Sequence, residues 1–554
     1  MKRLLAATLP LAAIAVPVLA GLGLTIALAF GTGTAHFSAR ANALQQMLQI
    51  PSIKSSVLLS LWTAWGSTLV ALSIALCLGY WITQSRLGQK LKRTLPALLS
   101  VPHAAFAVGF YFLISPSGWL ARLFSPWLSG WSRPPDLATV QDPWGIALLL
   151  GLAIKETPFL LLTLLAALGQ TNCRQSTWLG QSLGYSPWRC WLVLVVPQLY
   201  KQMRLPLIVV LSYGLSVVDM AKVLGPAIPG TLAVQSTLWL HDPDPSKWPL
   251  GAASALLLVL LSLTSVLAWL SLERLIKPLL KAYWLNGNRR APISAAIGKW
   301  LIPPLWMSTI AASLSVIVLW SLTWRWRFPD ALPQSFSLQF WGRHADQLLT
   351  PAWNTLSLGL ASTAISLIAA VALLESVKRL RLPHLSLLYA PLLLPQLAFL
   401  FGVQLLLLKL QADGRWWSVV WVHALFVFPY IVLALHGPWQ AYDQRYTYTA
   451  LALGKSRWQV WWSIKRPILL KPLVYASALG FSVSVAQYLS TLFVGAGRFP
   501  TLTTEAIAMV SGGDRRTLAA TAFVQMTMPM LAFALAFALP NILYKNRKHL
   551  RDEA

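Results

Sequence analysis

Two stretches of this sequence match each other at a constant spacing of about 270 residues: LGYSPWRCWLVLVVPQLYK at 183–201 and LGKSRWQVWWSIKRPILLK at 453–471. The match continues beyond them, since Ser212 and Gly225 recur as Ser482 and Gly495. A repeat at a fixed period indicates a duplicated structural unit. The identical positions inside the two stretches are Leu183, Gly184, Ser186, Trp188, Trp191, Pro197, Leu199 and Lys201, which pair with Leu453, Gly454, Ser456, Trp458, Trp461, Pro467, Leu469 and Lys471.

The composition around these stretches is that of a membrane protein. Of 554 residues, 56% are hydrophobic and 11% are charged, whereas soluble domains carry about 25% charged residues. Apolar runs of the length needed to cross a bilayer as a helix recur from end to end. The sequence therefore predicts an all-α, polytopic fold with about twelve transmembrane helices, six per half. We place them at 4–31, 55–84, 94–115, 144–169, 204–228, 249–273, 301–323, 352–377, 384–409, 417–438, 470–495 and 518–543.

Basic residues concentrate on one side of this topology and predict its orientation. Clusters such as Lys90 to Arg93 and Lys545 to Arg551 fall on one side, which the positive-inside rule makes cytoplasmic, together with both termini. An even number of crossings per half makes the halves parallel repeats. We predict a first module at 1–275, a cytoplasmic linker at 276–300 and a second module at 301–554.

The formal net charge of +28 does not indicate nucleic-acid binding, because the sequence has no polar domain with clustered basic residues. The N-terminal apolar run is longer than a usual signal sequence, so we expect a retained first helix. Cys77, Cys173 and Cys190 have no metal-ligand spacing, and no structural disulfide is implied. The eight histidines are scattered without paired spacing, so no metal site is expected.

Each repeated stretch follows the fourth predicted crossing of its half and is predicted to be cytoplasmic. It has the pattern of a short helix, a turn at Gly184 or Gly454 where the missing Cβ permits a positive φ, and a second amphipathic stretch ended by Pro197 or Pro467. Small, polar and aromatic residues kept at fixed positions outside the bilayer indicate a docking hairpin.

These stretches resemble the "EAA" loop of the inner-membrane components of binding-protein-dependent ABC importers, in which a glycine is followed thirteen positions later by a proline. Gly184 with Pro197 and Gly454 with Pro467 keep that spacing. The glutamate of the family is replaced by Trp178 and Tyr448. The resemblance covers nearly the whole chain as two fused modules of the MetI-like type, similar to thiamine and ferric-iron importers.

The resemblance implies a permease that forms the translocation path and is powered by two copies of a cytoplasmic ABC ATPase. A periplasmic or extracellular substrate-binding protein would deliver the cargo, in the cytoplasmic membrane of a bacterium. The resemblance implies these coupling residues: Leu183, Gly184, Ser186, Trp188 and Pro197 in the first loop, and Leu453, Gly454, Ser456, Trp458 and Pro467 in the second.

No cofactor and no ATPase site are expected in the chain itself. A phosphate-binding Walker A loop needs G-x-x-x-x-G-K-[ST]. Gly454-Lys455-Ser456 matches its end, but Thr449 stands where the first glycine belongs.

Ionisable residues within predicted crossings are candidates for the translocation path, because a charge in the membrane is costly. Lys155 and Glu156 lie in the fourth run and Asp219 in the fifth. A structural interpretation stays open, since Lys155 could pair with Glu156 or extend to the membrane interface. The second half has Leu425, Phe426 and Val427 in the same neighbourhood, so a symmetric role is not supported.

Two other classes remain open from the residues alone. A secondary transporter with twelve helices and a 6+6 repeat fits the same hydropathy, but it has no need for two matched docking hairpins. A membrane enzyme lacks support because no nucleophile, acid–base pair or metal spacing is clustered. The substrate is not specified by the sequence, and thiamine-like, ferric-iron-like and other small nutrients all remain open.

Overall fold

A computed structural model of the chain describes residues 2–31, 43–290, 293–376, 391–512 and 514–544. Within these residues the chain is helical apart from turns and one two-stranded antiparallel sheet. Eleven helices of the described parts are long and apolar enough to cross a membrane. The predicted all-α, polytopic fold is confirmed.

The first half begins with two long helices separated by a short one. Its helices are α1 (Lys2–Ala29), α2 (Ala43–Gln49), α3 (Pro51–Gln84), α4 (Arg86–Ser100), α5 (His103–Ile114), α6 (Trp119–Phe124), α7 (Ile146–Gly169), α8 (Cys173–Ser182), α9 (Pro187–Cys190), α10 (Val196–Ser216), α11 (Asp219–Leu224), α12 (Leu232–Leu240) and α13 (Trp248–Leu285). A π-helical turn spans Trp191–Val195, and a 3₁₀ turn spans Pro245–Lys247.

The second half repeats this order. Its elements are α14 (Ile293–Leu322), β1 (Thr323–Arg325), β2 (Ser335–Phe336), α15 (Gln339–Arg343), α16 (Ala345–Ser376), α17 (Leu397–Lys409), α18 (Trp416–Ala441), α19 (Gln444–Ala452), α20 (Arg457–Val460), α21 (Arg466–Val485), α22 (Leu489–Gly495), α23 (Leu502–Met509) and α24 (Arg515–Leu543). A second π-helical turn spans Trp461–Lys465.

Several predicted crossings differ from the observed helices. The run at 94–115 is divided between α4 and α5, because Pro102 disfavours the α conformation at Val101, which is extended (φ −60°, ψ 124°). The crossing predicted at 204–228 begins earlier and ends at Ser216, followed by the separate helix α11. The structure describes the ninth predicted crossing, 384–409, only from residue 391, and residues 384–390 lie outside the described part. Within the described part, α17 has 13 residues and begins at Leu397.

The sequence pattern predicts that Pro197 and Pro467 end the two amphipathic stretches. This prediction is wrong, because the helix continues through both prolines. Each lies in the first turn of a long helix, directly after a π-helical turn. The last N–H before each proline bonds five residues back, Val196 to the Trp191 carbonyl and Arg466 to the Trp461 carbonyl. A π turn absorbs one extra residue, and proline is tolerated at the start of a helix because its missing N–H has no intrahelical acceptor there. Each repeated hairpin therefore continues into a long apolar helix.

The first helix of each half packs against the other half. Helix α1 lies on α16 and α17, and α14 lies on α3 and α5. Glycines permit both crossings: a Cβ on Gly402 would clash with the backbone of Gly21, and a Cβ on Gly109 would clash with the carbonyl of Ser313. Gly109 and Gly402 belong to the repeated segments that follow Pro102 and Pro395. The two halves therefore exchange their first helices.

A second contact between the halves involves Arg122 on α6. Arg122 is 3% exposed. Its guanidinium donates from Nη1 to the Arg327 carbonyl at 2.8 Å and lies 4.9 Å from the centre of the Trp326 ring. Cation–π contact and charge-assisted hydrogen bonds both fasten α6 to the segment between β1 and β2.

The helices extend into both ends of the range predicted as a linker. Helix α13 runs to Leu285 and α14 begins at Ile293, so residues 286–290 form the described turn between them. The division into modules at 1–275 and 301–554 stays a prediction.

Candidate translocation cavity and docking loops

A cavity of about 360 Å³ lies between the two halves. The first half lines it with the N-terminal end of α5, the middle of α7 and the segment that joins α10 to α11. The second half lines it with residues before α17, on α18, and between α21 and α22. Matching segments of the two repeats therefore form opposite walls.

Lys155, Glu156 and Asp219, the three residues predicted for a translocation path, all line this cavity. They are 4%, 8% and 9% exposed, respectively. The structure thus brings together residues that lie on two different helices. Their role in transport stays a prediction.

Glu156 is paired with His103, and not with its neighbour Lys155. The Glu156 Oε1 atom lies 2.8 Å from His103 Nε2. Adjacent residues on a helix point in different directions, so Lys155 and Glu156 do not face each other. Lys155 instead donates to the Leu99 carbonyl at 3.4 Å.

The second half supplies neutral polar groups to the cavity. Gln396, Tyr430, Gln487 and Tyr488 line its wall. The charges of the first half therefore face amides and phenols. The chemistry of the cavity is asymmetric although its frame is repeated.

Sequence reasoning singled out the acidic and basic residues but missed His103 as their partner. A signal was present, because Pro102-His103 recurs as Pro395-Gln396, and both His103 and Gln396 line the cavity. A proline before a helix places the next side chain at the first turn of that helix. The repeated proline thus marked the position, and the pairing needed the fold.

A buried network on the second half uses His423, which is 1% exposed. Its Nδ1 lies 2.8 Å from Ser484 Oγ and its Nε2 lies 2.9 Å from Thr491 Oγ1. The imidazole therefore joins α18 to α21 and α22. In the part of the chain that the structure describes, no group of three or more His, Cys, Asp or Glu residues is arranged to hold a metal ion.

The repeated stretches form hairpins with the same backbone. Gly184 has φ of 85° and Gly454 has φ of 83°, a conformation that residues with a Cβ rarely adopt. The next repeated residue caps a helix in each copy: Ser186 Oγ accepts from the N–H of Arg189, and Ser456 Oγ accepts from the N–H of Gln459. Backbone geometry thus explains the repeated glycine and serine.

The two hairpins differ in how their tryptophans pack. Trp188 is 5% exposed and its ring meets Tyr80 edge-on at 4.7 Å, whereas Trp458 is 69% exposed. Leu183 and Leu453 are 63% and 78% exposed. Both hairpins therefore carry apolar side chains that the rest of the chain leaves uncovered.

Comparison with known proteins agrees with this arrangement. Residues 362–546 match the model of the family described as "Binding-protein-dependent transport system inner membrane component". The chain is also 35% identical over 496 residues to the inner membrane ABC transporter permease protein YnjC of Escherichia coli K12, covering 89% of each chain. The chain belongs to this family of permeases.

The similarity to the E. coli permease extends across both halves, whereas the family model matches the second half only. The predicted resemblance to a fused ABC importer permease is confirmed. Permeases of this family work with an ATPase and with a substrate-binding protein. The function of the chain, at this level, is that of a membrane permease of an ABC importer.

Proposed function

We propose that the cavity between the halves is the translocation path and that the two hairpins couple it to cytoplasmic ATPase subunits. The observation that carries this proposal is that the two hairpins have the same backbone conformation. Each hairpin continues through a π-helical turn into a helix beside the cavity. A movement of either hairpin is transmitted to a cavity wall without crossing a flexible joint.

The partners of the permease follow from this arrangement. Two hairpins accept two copies of a separate ATPase subunit, and the chain itself contributes no ATPase site. A periplasmic or extracellular binding protein delivers cargo to the opposite side of the membrane. Both termini and both hairpins face the cytoplasm of a bacterium whose inner membrane holds the chain.

Affinity purification of the detergent-extracted chain from its native host tests this proposal. We expect an ATPase subunit to accompany it at about two copies per chain, and mass spectrometry with quantitative staining measures that ratio. A chain that purifies alone and transports with an ion gradient contradicts the proposal.

Substitution of both turn glycines tests the coupling itself. Gly184→Asp combined with Gly454→Asp adds a charged side chain to each docking surface, on a positive-φ backbone that aspartate occupies more readily than most residues with a Cβ. We expect ATP hydrolysis to be uncoupled from transport, with membrane insertion intact. Gly342→Asp is the matched control, because Gly342 is exposed, has no positive φ and has nothing within 4 Å of an added Cβ. Normal transport by the double variant would count against the docking role.

A further inference from the structure

Arg189, in the first hairpin, is a buried arginine whose side-chain hydrogen bonds go to the turn between the halves and to the helix before it. It is 1% exposed. Its Nε donates to the Asn288 carbonyl at 3.1 Å, and its Nη2 donates to the Tyr283 carbonyl at 2.7 Å and to Asn286 Oδ1 at 2.9 Å. The guanidinium also stacks 4.0 Å from the centre of the Tyr283 ring.

The acceptors explain why a cation is held there. Tyr283 lies in the last turn of α13, whose final carbonyls have no intrahelical partner and carry partial negative charge. A planar guanidinium donates to the Tyr283 carbonyl and to the two asparagine oxygens at once. An ammonium group cannot donate in the same fixed geometry.

The backbones of the hairpin and the turn are joined as well. The Ser186 N–H donates to the Arg289 carbonyl at 3.0 Å. A Cβ on Gly184 would lie 3.4 Å from Arg289 Nη1, so this arginine sits beside the docking turn. Arg289 and Arg290 are exposed.

The second hairpin has no such attachment among the described residues. Gln459 occupies the position that matches Arg189, and it closes a local capping box with Ser456. A Cβ on Gly454 would have nothing within 4 Å. The repeat has thus kept the turn and the cap while only the first copy gained the arginine.

We propose that residues 286–290 form part of the first docking surface, held there by Arg189, so that the ATPase subunit at the first hairpin also contacts Arg289 and Arg290. This inference rests on the proposed function. A subunit that covers Leu183 and Gly184 must meet the arginines beside them, and their charge selects an acidic patch on that subunit. The second hairpin has Gln459 in place of this arginine, so the attachment through Arg189 belongs to the first docking surface.

Site-specific photo-crosslinking distinguishes the two surfaces. A photoreactive phenylalanine analogue replaces Arg290 in one variant of the full chain and Lys455, beside the second turn, in another. Each variant is purified with the ATPase subunit that accompanies the unmodified chain, then irradiated. We expect both positions to crosslink to that ATPase subunit.

Arg189→Gln, which installs the residue of the second hairpin, tests the positioning role. It should lower the crosslink yield from position 290 about tenfold, the change that a loss of about 1.4 kcal/mol produces, and leave the yield from position 455 unchanged. Arg189→Lys keeps the positive charge but loses the branched guanidinium, so we expect an intermediate crosslink yield from position 290. The yield from position 455 reports in each variant that the chain is folded and engaged.

The outcomes separate this inference from the proposed function. Crosslinking from position 455 but not from 290 in the unmodified background overturns the composite surface and leaves the docking role of the hairpins intact. Crosslinking from 290 that persists in Arg189→Gln overturns the role of Arg189. If no ATPase subunit accompanies the chain, the proposed function itself fails.

Discussion

His103 and Gln396 occupy matching places in the two halves, each after a proline that precedes a helix, and both reach the cavity. His103 has a carboxylate partner in Glu156, whereas the matching neighbourhood of the second half holds Leu425, Phe426 and Val427. The same contrast separates Arg189 from Gln459. At these places the repeat has kept the residues that set backbone direction and has changed the charged side chains, although Lys201 recurs as Lys471.

Loss of the His103 partner is expected to destabilise the protein. His103→Ala leaves the Glu156 carboxylate in the cavity without its hydrogen-bond partner. A buried polar group that loses its partner costs about 1–3 kcal/mol, and we expect the lower part of that range because the His103 side chain is 28% exposed. The midpoint of thermal unfolding in detergent measures the effect.

The matched control for this variant is Gln396→Ala, which removes a neutral side chain from the equivalent position. Its unfolding temperature should change less than that of His103→Ala. Equal changes in the two variants would show that the hydrogen bond between His103 and Glu156 contributes nothing beyond packing.

At the scale of elements, the exchange of first helices decides how the halves are held together. Helix α1 reaches across to α17, and α14 reaches across to α5. These crossings depend on glycines because two backbones approach within van der Waals distance, which any side chain would prevent. The hydropathy of α1 and α14 predicted that they cross the membrane, but it carries no information on which neighbour they contact.

A substitution on α1 tests this exchange. Gly21→Val should displace α1 from α17, since a Cβ there would clash with the Phe399 carbonyl and approach Val403. We expect loss of a monodisperse peak in size-exclusion chromatography, and a lower unfolding temperature for what remains.

Gly23→Val serves as its control on the same helix, because a Cβ on Gly23 has nothing within 4 Å. Both variants add the same side chain to the same apolar helix, so membrane insertion is matched. A control variant as damaged as Gly21→Val would point to helix propensity, which valine lowers at both sites, as the cause.

At the scale of the whole molecule, the two halves behave as one unit. They share the cavity walls, the exchanged helices, the Arg122 contact, and a hydrogen bond from Lys222 Nζ to the Tyr488 hydroxyl at 3.0 Å. The covalent connection between residues 290 and 291 is therefore one of several links.

Separation of the chain into two polypeptides tests this view. When residues 1–290 and 291–554 are co-expressed, we expect them to co-purify in detergent, because the exchanged helices still bury their glycine contacts. Arg122→Ala removes hydrogen bonds from a charged group, worth about 1.5–3 kcal/mol each, and should lower recovery of the partner half.

Arg133→Ala is the control for charge, since Arg133 is exposed. Recovery of the untagged half on the tagged half, relative to the unsubstituted pair, is the quantity measured. Halves that separate completely without any substitution would contradict the idea that the helix exchange holds them together.

The fold class, the duplication, most of the membrane helices and the family could be predicted from the sequence. The length of an apolar run, the period of a repeat and a glycine-to-proline spacing can all be read along the chain. The positive φ at Gly184 and Gly454 could be predicted in the same way.

Three contacts became visible only in the folded chain: Glu156 pairs with His103 and not with Lys155, α1 lies on the second half, and Arg189 holds the turn between the halves. These contacts join residues far apart in sequence, and direction in space, which periodicity does not encode, selects their partners. The π-helical turns before Pro197 and Pro467 fall between the two cases: the prolines are visible in the sequence, but the continuation of the helix through them depends on the packing around it.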